Sequence, residues 1–114
     1  MDAAIESRTD ALFHALADKT RRDILRRSLI REHSVTALAS FYDMSFAAVQ
    51  KHVAVLERAG LLAKRRRGRE ALTHGRVETV RSAATLLQEL EALWQGRVAR
   101  MDDLLAHDNE SSRT

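Results

Sequence analysis

Apolar residues in this chain recur mostly at spacings of three and four, the pattern of helices that bury one face and leave the other in water. Leu12, Phe13 and Leu16 define a first helical face that ends near Asp18, and Asp18 can cap a second helix carrying Ile24, Leu25 and Leu29. Ser34 offers a cap for a third helix, whose apolar positions Val35, Leu38, Ala39 and Tyr42 keep the same period. Only Asp43 and Met44 separate that helix from Ser45, a further cap. After Ser45 the positions Val49, His52, Val53 and Leu56 repeat the spacing up to Ala59, and Gly60 supplies a stop. Two short helices joined by so tight a turn make a helix-turn-helix.

The period then changes. Leu61 to Arg66 and Ala71 to Arg76 predict two short strands, with Arg67, Gly68 and Arg69 at the tip of a hairpin. From Val77 the helical period returns for about 30 residues, on the order of 45 Å. Val77, Val80, Ala84, Leu87, Glu91, Trp94, Val98, Met101 and Leu105 form one stripe, and Ala83, Leu86, Leu90, Leu93 and Leu104 form another beside it. A helix this long overhangs so small a domain. Its two stripes can cover two surfaces, one on its own domain and one on a second copy of the chain. The expected fold is therefore mainly α with a small β-hairpin: a winged helix-turn-helix of five helices plus a two-stranded wing. It spans residues 1–108, with 109–114 as a disordered tail.

Composition narrows the function. The 114 residues contain no cysteine, which excludes disulfides, thiolate metal sites and thiol nucleophiles. The apolar runs are too short to cross a bilayer, and Asp2, Glu6 and Asp10 break any signal-peptide order, so the expectation is a cytoplasmic protein without a membrane partner. The net charge of +3 is unevenly placed. Residues 1–76 carry 15 Lys and Arg against 9 Asp and Glu, and 77–114 carry 4 against 7, so the first part is +6 and the second −3. A basic domain of this kind should face a polyanion, and double-stranded DNA fits better than a membrane.

In such a domain the second helix of the pair enters the major groove, and at 100° per residue its outward face holds Ala47, Gln50, Lys51, Ala54 and Arg58. Gln50 can pair with adenine, Lys51 can donate to guanine, and Phe46 and Ala47 can meet thymine methyls. Lys64, Arg65, Arg66, Arg67 and Arg69 put five cations in six residues around the hairpin turn, a density that self-repels unless phosphates or a narrow minor groove lie opposite. Ser34, Thr36 and Ser45 stand at helix N-termini, where hydroxyls suit phosphate contact and equally suit plain capping.

Of the five histidines, none has a close histidine partner. His107 with Glu110 has ligand-like spacing, with Asp103 one turn earlier. His52 lies on the apolar flank of its helix. No nucleophile triad, carboxylate pair or glycine-rich phosphate loop is present, so neither an enzyme nor a bound cofactor is expected.

Two segments resemble a known family. Leu16-Ala-Asp-Lys-Thr-Arg-Arg-Asp-Ile-Leu25 is similar to the LADPTRRxIL second helix of the ArsR family of winged-helix repressors. Met44 to Leu62, MSFAAVQKHVAVLERAGLL, is similar to that family's MSxxxVSKHLxVLxxAGLV recognition helix, and the Arg-rich wing follows as it does there. The resemblance covers roughly residues 9–106. It implies a homodimer with helices 1 and 5 at the interface, which assigns Leu12, Phe13, Leu87, Leu90, Trp94, Val98, Met101 and Leu105 to the dimer face. It also implies helices 3 and 4 on DNA, with Ser45, Phe46, Ala48, Gln50, Lys51 and His52 at recognition positions, and repression until a signal, such as a small-molecule inducer, releases the operator. Where thiol-containing members carry Cys-x-Cys, this chain has Ser34-Val-Thr36, which resembles the metal-free subgroup. A metal-responsive sensor built on histidine and carboxylate ligands and a nonspecific architectural DNA-binding protein are the alternative readings.

Overall fold

A computed structural model describes the backbone of residues 3–112 and the side chains of residues 3–107. The elements in chain order are α1 (Ala3–Leu16), α2 (Lys19–Ile30), β1 (His33–Ser34), α3 (Val35–Ala39), α4 (Phe46–Arg58), β2 (Leu62–Arg67), β3 (Glu70–Gly75) and α5 (Val77–Ser112). The chain forms two compact units, residues 1–83 and 84–114.

The first unit holds a continuous core. Leu12 and Ala15 of α1, Ile24 and Leu25 of α2, Val35 and Leu38 of α3, and Val49, Val53 and Leu56 of α4 converge with Leu61, Leu62 and Ala83. Each buried leucine or isoleucine is worth about 1.5–3 kcal/mol relative to exposure, so the three-four spacing is what drives the helices together. The caps follow the local sequence. The Asp18 carboxylate accepts the Arg21 N–H at 2.9 Å, the Ser34 hydroxyl accepts the Ala37 N–H at 3.0 Å, and the Ser45 hydroxyl accepts the Ala48 N–H at 3.1 Å.

The sheet corrects the two-strand expectation. It has three antiparallel strands in the order β1-β3-β2, with His33 opposite Thr73 and Ser34 opposite Leu72. A two-residue strand is too short to show a period of two, and its partner lies at a distant point in the chain. The β2-β3 hairpin runs in register from Leu62 opposite Gly75 to Arg67 opposite Glu70. Gly68 takes φ +62° at the first of its two turn residues, and no non-glycine residue among those described has positive φ, the arrangement of a type II′ hairpin. Behind the sheet, the buried Thr73 hydroxyl donates to the His33 carbonyl at 3.1 Å and stands 3.1 Å from the Ser28 hydroxyl, which joins α2 to the strands.

Helix α3 ends at Ala39, short of the expected Tyr42. The chain turns there because the Ser40 hydroxyl closes on the Ala37 carbonyl at 2.6 Å and the Tyr42 hydroxyl reaches the Asp23 carboxylate, also at 2.6 Å.

The second unit is helical. The backbone of α5 continues through Ser112, beyond position 109 at which the sequence pointed to a tail, and residues 113 and 114 lie outside the described residues. No described helix is long and apolar enough to cross a membrane.

Candidate nucleic-acid interface

Helix α4 buries Val49, Val53 and Leu56 and turns Ala47, Gln50, Lys51 and Arg58 to solvent, while Ala48 and Ala54 are half-buried. Phe46, at its first turn, is 45% exposed. Beside this face lies a hollow of about 240 Å³ whose walls come from α3, α4 and the β2-β3 hairpin. Thr36 of α3, Phe46 and Gln50 of α4, and Lys64, Arg66 and Arg69 of the wing line it together with Val35, Val53, Glu70 and Ala71. Six residues expected from sequence to touch DNA therefore share one surface: a hydroxyl, an aromatic ring, an amide and three cations around a concavity.

Strand pleating sorts the wing cations. Alternate residues of β2 point to opposite faces, so Lys64 and Arg66 share a face while Arg65 and Arg67 occupy the other. On that second face the Arg65 guanidinium forms a two-pronged pair with Glu32, Nε to Oε2 at 2.7 Å and Nη2 to Oε1 at 2.8 Å. His74 Nδ1 stands 3.8 Å from the same carboxylate. The hydrogen bond from Arg65, with the charges of Arg65, His74 and Arg67 adding to it, holds the Glu32 carboxyl below its ordinary value against the opposing effect of desolvation. Lys64 Nζ lies 3.7 Å from Glu57. Part of the anionic counterweight that the sequence argument sought in phosphate is thus supplied within the chain.

His52 departs from the expected DNA face. It is half-buried, and its Nδ1 is 3.3 Å from Arg21 Nη1 and 3.8 Å from the Asp18 carboxylate. The same guanidinium donates to the carbonyls of Ala15 at 2.8 Å and His14 at 3.0 Å, closing the end of α1. A ring nitrogen facing a guanidinium N–H serves as its acceptor, so His52 is tied to the junction of α1 and α2. Ser34 and Ser45 spend their hydroxyls on capping. Asp18 is held below the ordinary aspartate value, chiefly by the Arg21 backbone N–H.

Sequence reasoning missed a second polar cluster behind the helix pair. The Asp23 carboxylate accepts from Tyr42 at 2.6 Å and from Arg27 Nε at 2.9 Å, and Arg27 stacks 3.8 Å over the Phe41 ring. The Tyr42 hydrogen bond, then that of Arg27, pulls Asp23 below its ordinary value. Burial, then the Asp23 hydrogen bond, pushes the Tyr42 phenol up to about 12. The i, i+4 spacing of Asp23 and Arg27 was visible in the sequence; the arrival of Tyr42 was not.

The residues assigned to a dimer face divide. Leu12 is already buried in the core of its own unit and leaves little surface for a partner, and Phe13 is half-buried against that core. On α5, Leu87, Leu90, Trp94, Met101 and Leu105 are all more than half exposed, and Val98 is half-buried. Among the described residues no three histidine, aspartate or glutamate side chains gather as metal ligands. His107 lies with Arg100, Asp103 and Leu104 at an open hollow, and the Glu110 side chain lies outside the described residues.

A helix pair, a basic hairpin beside it and a concave polar face between them define a winged helix-turn-helix DNA-binding domain. Comparison with known proteins agrees. A family described as "Helix-turn-helix domain" matches residues 16–65. The uncharacterized HTH-type transcriptional regulator YuzN of Bacillus subtilis is 42% identical over 67 residues, covering 53% of this chain and 73% of the relative. Among solved structures, an ArsR family transcriptional regulator is 30% identical with a TM-score of 0.75, covering 79% of this chain and 93% of that one. An ArsR-like transcriptional regulator from Rhodococcus sp. is 27% identical with a TM-score of 0.80, covering 91% and 95%. The homodimeric winged helix-turn-helix DNA-binding domain of a possible ArsR-family regulator from Mycobacterium bovis shares the fold at 23% identity and a TM-score of 0.65, covering 78% and 83%. The chain belongs to the ArsR family of winged helix-turn-helix transcriptional regulators.

Proposed function

We propose that this regulator is a homodimeric repressor that binds a partly palindromic operator, with α4 in the major groove and the Arg-rich wing on the backbone or in the minor groove. The observation that carries the reading is the single hollow shared by Thr36, Phe46 and Gln50 with Lys64, Arg66 and Arg69. Base-reading and phosphate-binding chemistry stand side by side there. Gln50 and Lys51 contact base edges, Phe46 and Ala47 meet thymine methyls, and Arg66, Arg67 and Arg69 hold the duplex.

The dimer follows from the apolar row on α5. Leu87, Leu90, Trp94, Val98, Met101 and Leu105 recur at three- and four-residue intervals, and all but the half-buried Val98 are exposed in the single chain, a stripe that a second copy would cover. The Mycobacterium bovis neighbour is homodimeric. Two-fold symmetry sets half-sites about 34 Å apart, one helical turn of DNA. The protein works in the cytoplasm as a binding protein, not a catalyst, and a signal, such as a small-molecule inducer, releases it.

The test is a fluorescence-anisotropy titration against the DNA upstream of its own coding region and a scrambled duplex, with and without EDTA, at two salt concentrations. Tight, EDTA-insensitive preference for the native fragment is expected. Equal, strongly salt-dependent binding to both duplexes would refute specific repression.

A further inference from the structure

Helix α2 carries a second set of cations that the interface above does not use. Lys19, Arg22 and Arg26 recur at three and four residues, so they line one exposed face of the helix. All three border an open hollow of about 470 Å³ whose facing wall includes Tyr42, Asp43 and Met44, the residues leading directly into the Ser45 cap of α4. This hollow and the one beside the wing share no lining residue.

The charges around the α2 hollow do not cancel. Asp23 lines it too, but its carboxylate is occupied by Tyr42 and Arg27 and approached by Arg26 Nη1 at 3.6 Å. The Arg26 side chain nevertheless stays 69% exposed. Arg22 spends one N–H on the Leu16 carbonyl, at 2.8 Å, and no carboxylate among the described residues stands at ion-pair distance from it or from Lys19. Asp43 is the one acid on the rim that has no such partner. Three cations therefore face solvent beside the N-terminus of the helix assigned to the major groove, and a helix lying in that groove has a phosphate strand along each border.

Resting on the DNA-binding reading above, we infer that the Lys19, Arg22 and Arg26 face of α2 is a second phosphate-binding surface. It takes the DNA backbone that passes the N-terminus of α4 and extends the contact beyond the stretch held by the wing. Contacts of this kind fix register and add affinity without adding sequence preference.

The experiment compares wild type with the double variant Lys19→Gln/Arg26→Gln, which spares the carbonyl contact of Arg22. A charge-matched control, Arg8→Gln/Arg81→Gln, removes two exposed cations away from the hollow. Anisotropy titrations on the upstream fragment and the scrambled duplex across a series of salt concentrations give the slope of log Kobs against log salt. The α2 variant should flatten that slope by about 0.9 for each phosphate it no longer neutralises, or about 2 per bound protomer, and weaken binding roughly 30-fold at physiological salt. The ratio of native to scrambled binding and the circular dichroism spectrum should stay as in wild type, and the control should keep the wild-type slope. An unchanged slope in the α2 variant, or an equal loss in the control, overturns the inference while leaving specific DNA binding intact. Failure of the wild-type protein to bind any duplex overturns the functional reading and this surface with it.

Discussion

In the proposed DNA-binding mode Glu32 competes with the duplex for Arg65, and Glu32→Gln is the perturbation that exposes the competition. In the free protein both carboxylate oxygens of Glu32 are engaged by Arg65, at 2.7 and 2.8 Å. A phosphate approaching that side of the wing must displace a charged, two-pronged acceptor that is already in place. Glutamine keeps the size and one acceptor oxygen but removes the charge, so the guanidinium is freed for phosphate. One additional phosphate neutralised per protomer steepens the slope of log Kobs against log salt by about 0.9 and tightens binding most at low salt. Sequence discrimination should not move, since the gain is to the backbone. The assay is the anisotropy titration of wild type and variant on native and scrambled duplexes, with the thermal midpoint showing that the wing remains folded. An unchanged slope, or weaker binding by a folded variant, would rule out the competition. It would mean that Glu32 orients Arg65 for the phosphate and does not withhold it.

Other outcomes follow from individual contacts. Gln50→Ala should cost about 1–3 kcal/mol of discrimination at the base pair that Gln50 reads, whereas Arg66→Gln should weaken native and scrambled duplexes alike, as competition titrations would register. Tyr42 is the chain's one tyrosine. Its ultraviolet titration should have a midpoint near 12 in the folded protein and near 10.0 in denaturant, and stability held by its neutral form, complete below the unfolded value, should drain away between them. Asp18, Asp23 and Glu32 are all held below their ordinary values. Their stabilisation is complete above about pH 5 and is lost as pH falls through the lowered values, so unfolding midpoints should be level near neutrality and drop below about pH 4. At Gly75 a methyl group would stand 2.5 Å from Leu29 Cδ2 and 3.2 Å from its Cα. Gly75→Ala should therefore destabilise by about 1–3 kcal/mol in denaturant melts, with part of the loss recovered in combination with Leu29→Ala.

The elements that could be read from the sequence are those whose causes are local. Asp18, Ser34 and Ser45 cap the helices they precede, because a cap needs only a side-chain oxygen and an amide three residues on. The amphipathic periods of α2 and α4 survive folding because the core wants that spacing. Strand β1 left no trace, since its two residues find Thr73 and Leu72 only after the chain has folded back. Tyr42 misled for a related reason. It occupies an apolar position in the helical period, yet its hydroxyl is drawn to Asp23, and the chain leaves the helix to deliver it.

The same distinction governs the interface. Sequence places the basic run on the hairpin, where β2 and its turn carry it, but a run of charges says nothing of what each will meet. Arg65 finds Glu32 33 positions away, Lys64 comes near Glu57, and Arg21 turns inward to the carbonyls of α1 and to His52. Among the described residues no carboxylate is paired with Arg66, Arg67 or Arg69 at ion-pair distance, so in the proposed complex these three are the wing cations open to phosphate. A count of basic residues therefore overstates the number of phosphates this domain can neutralise, and the salt slope of DNA binding, which registers only the cations that meet phosphate in the complex, is the quantity that separates the two numbers.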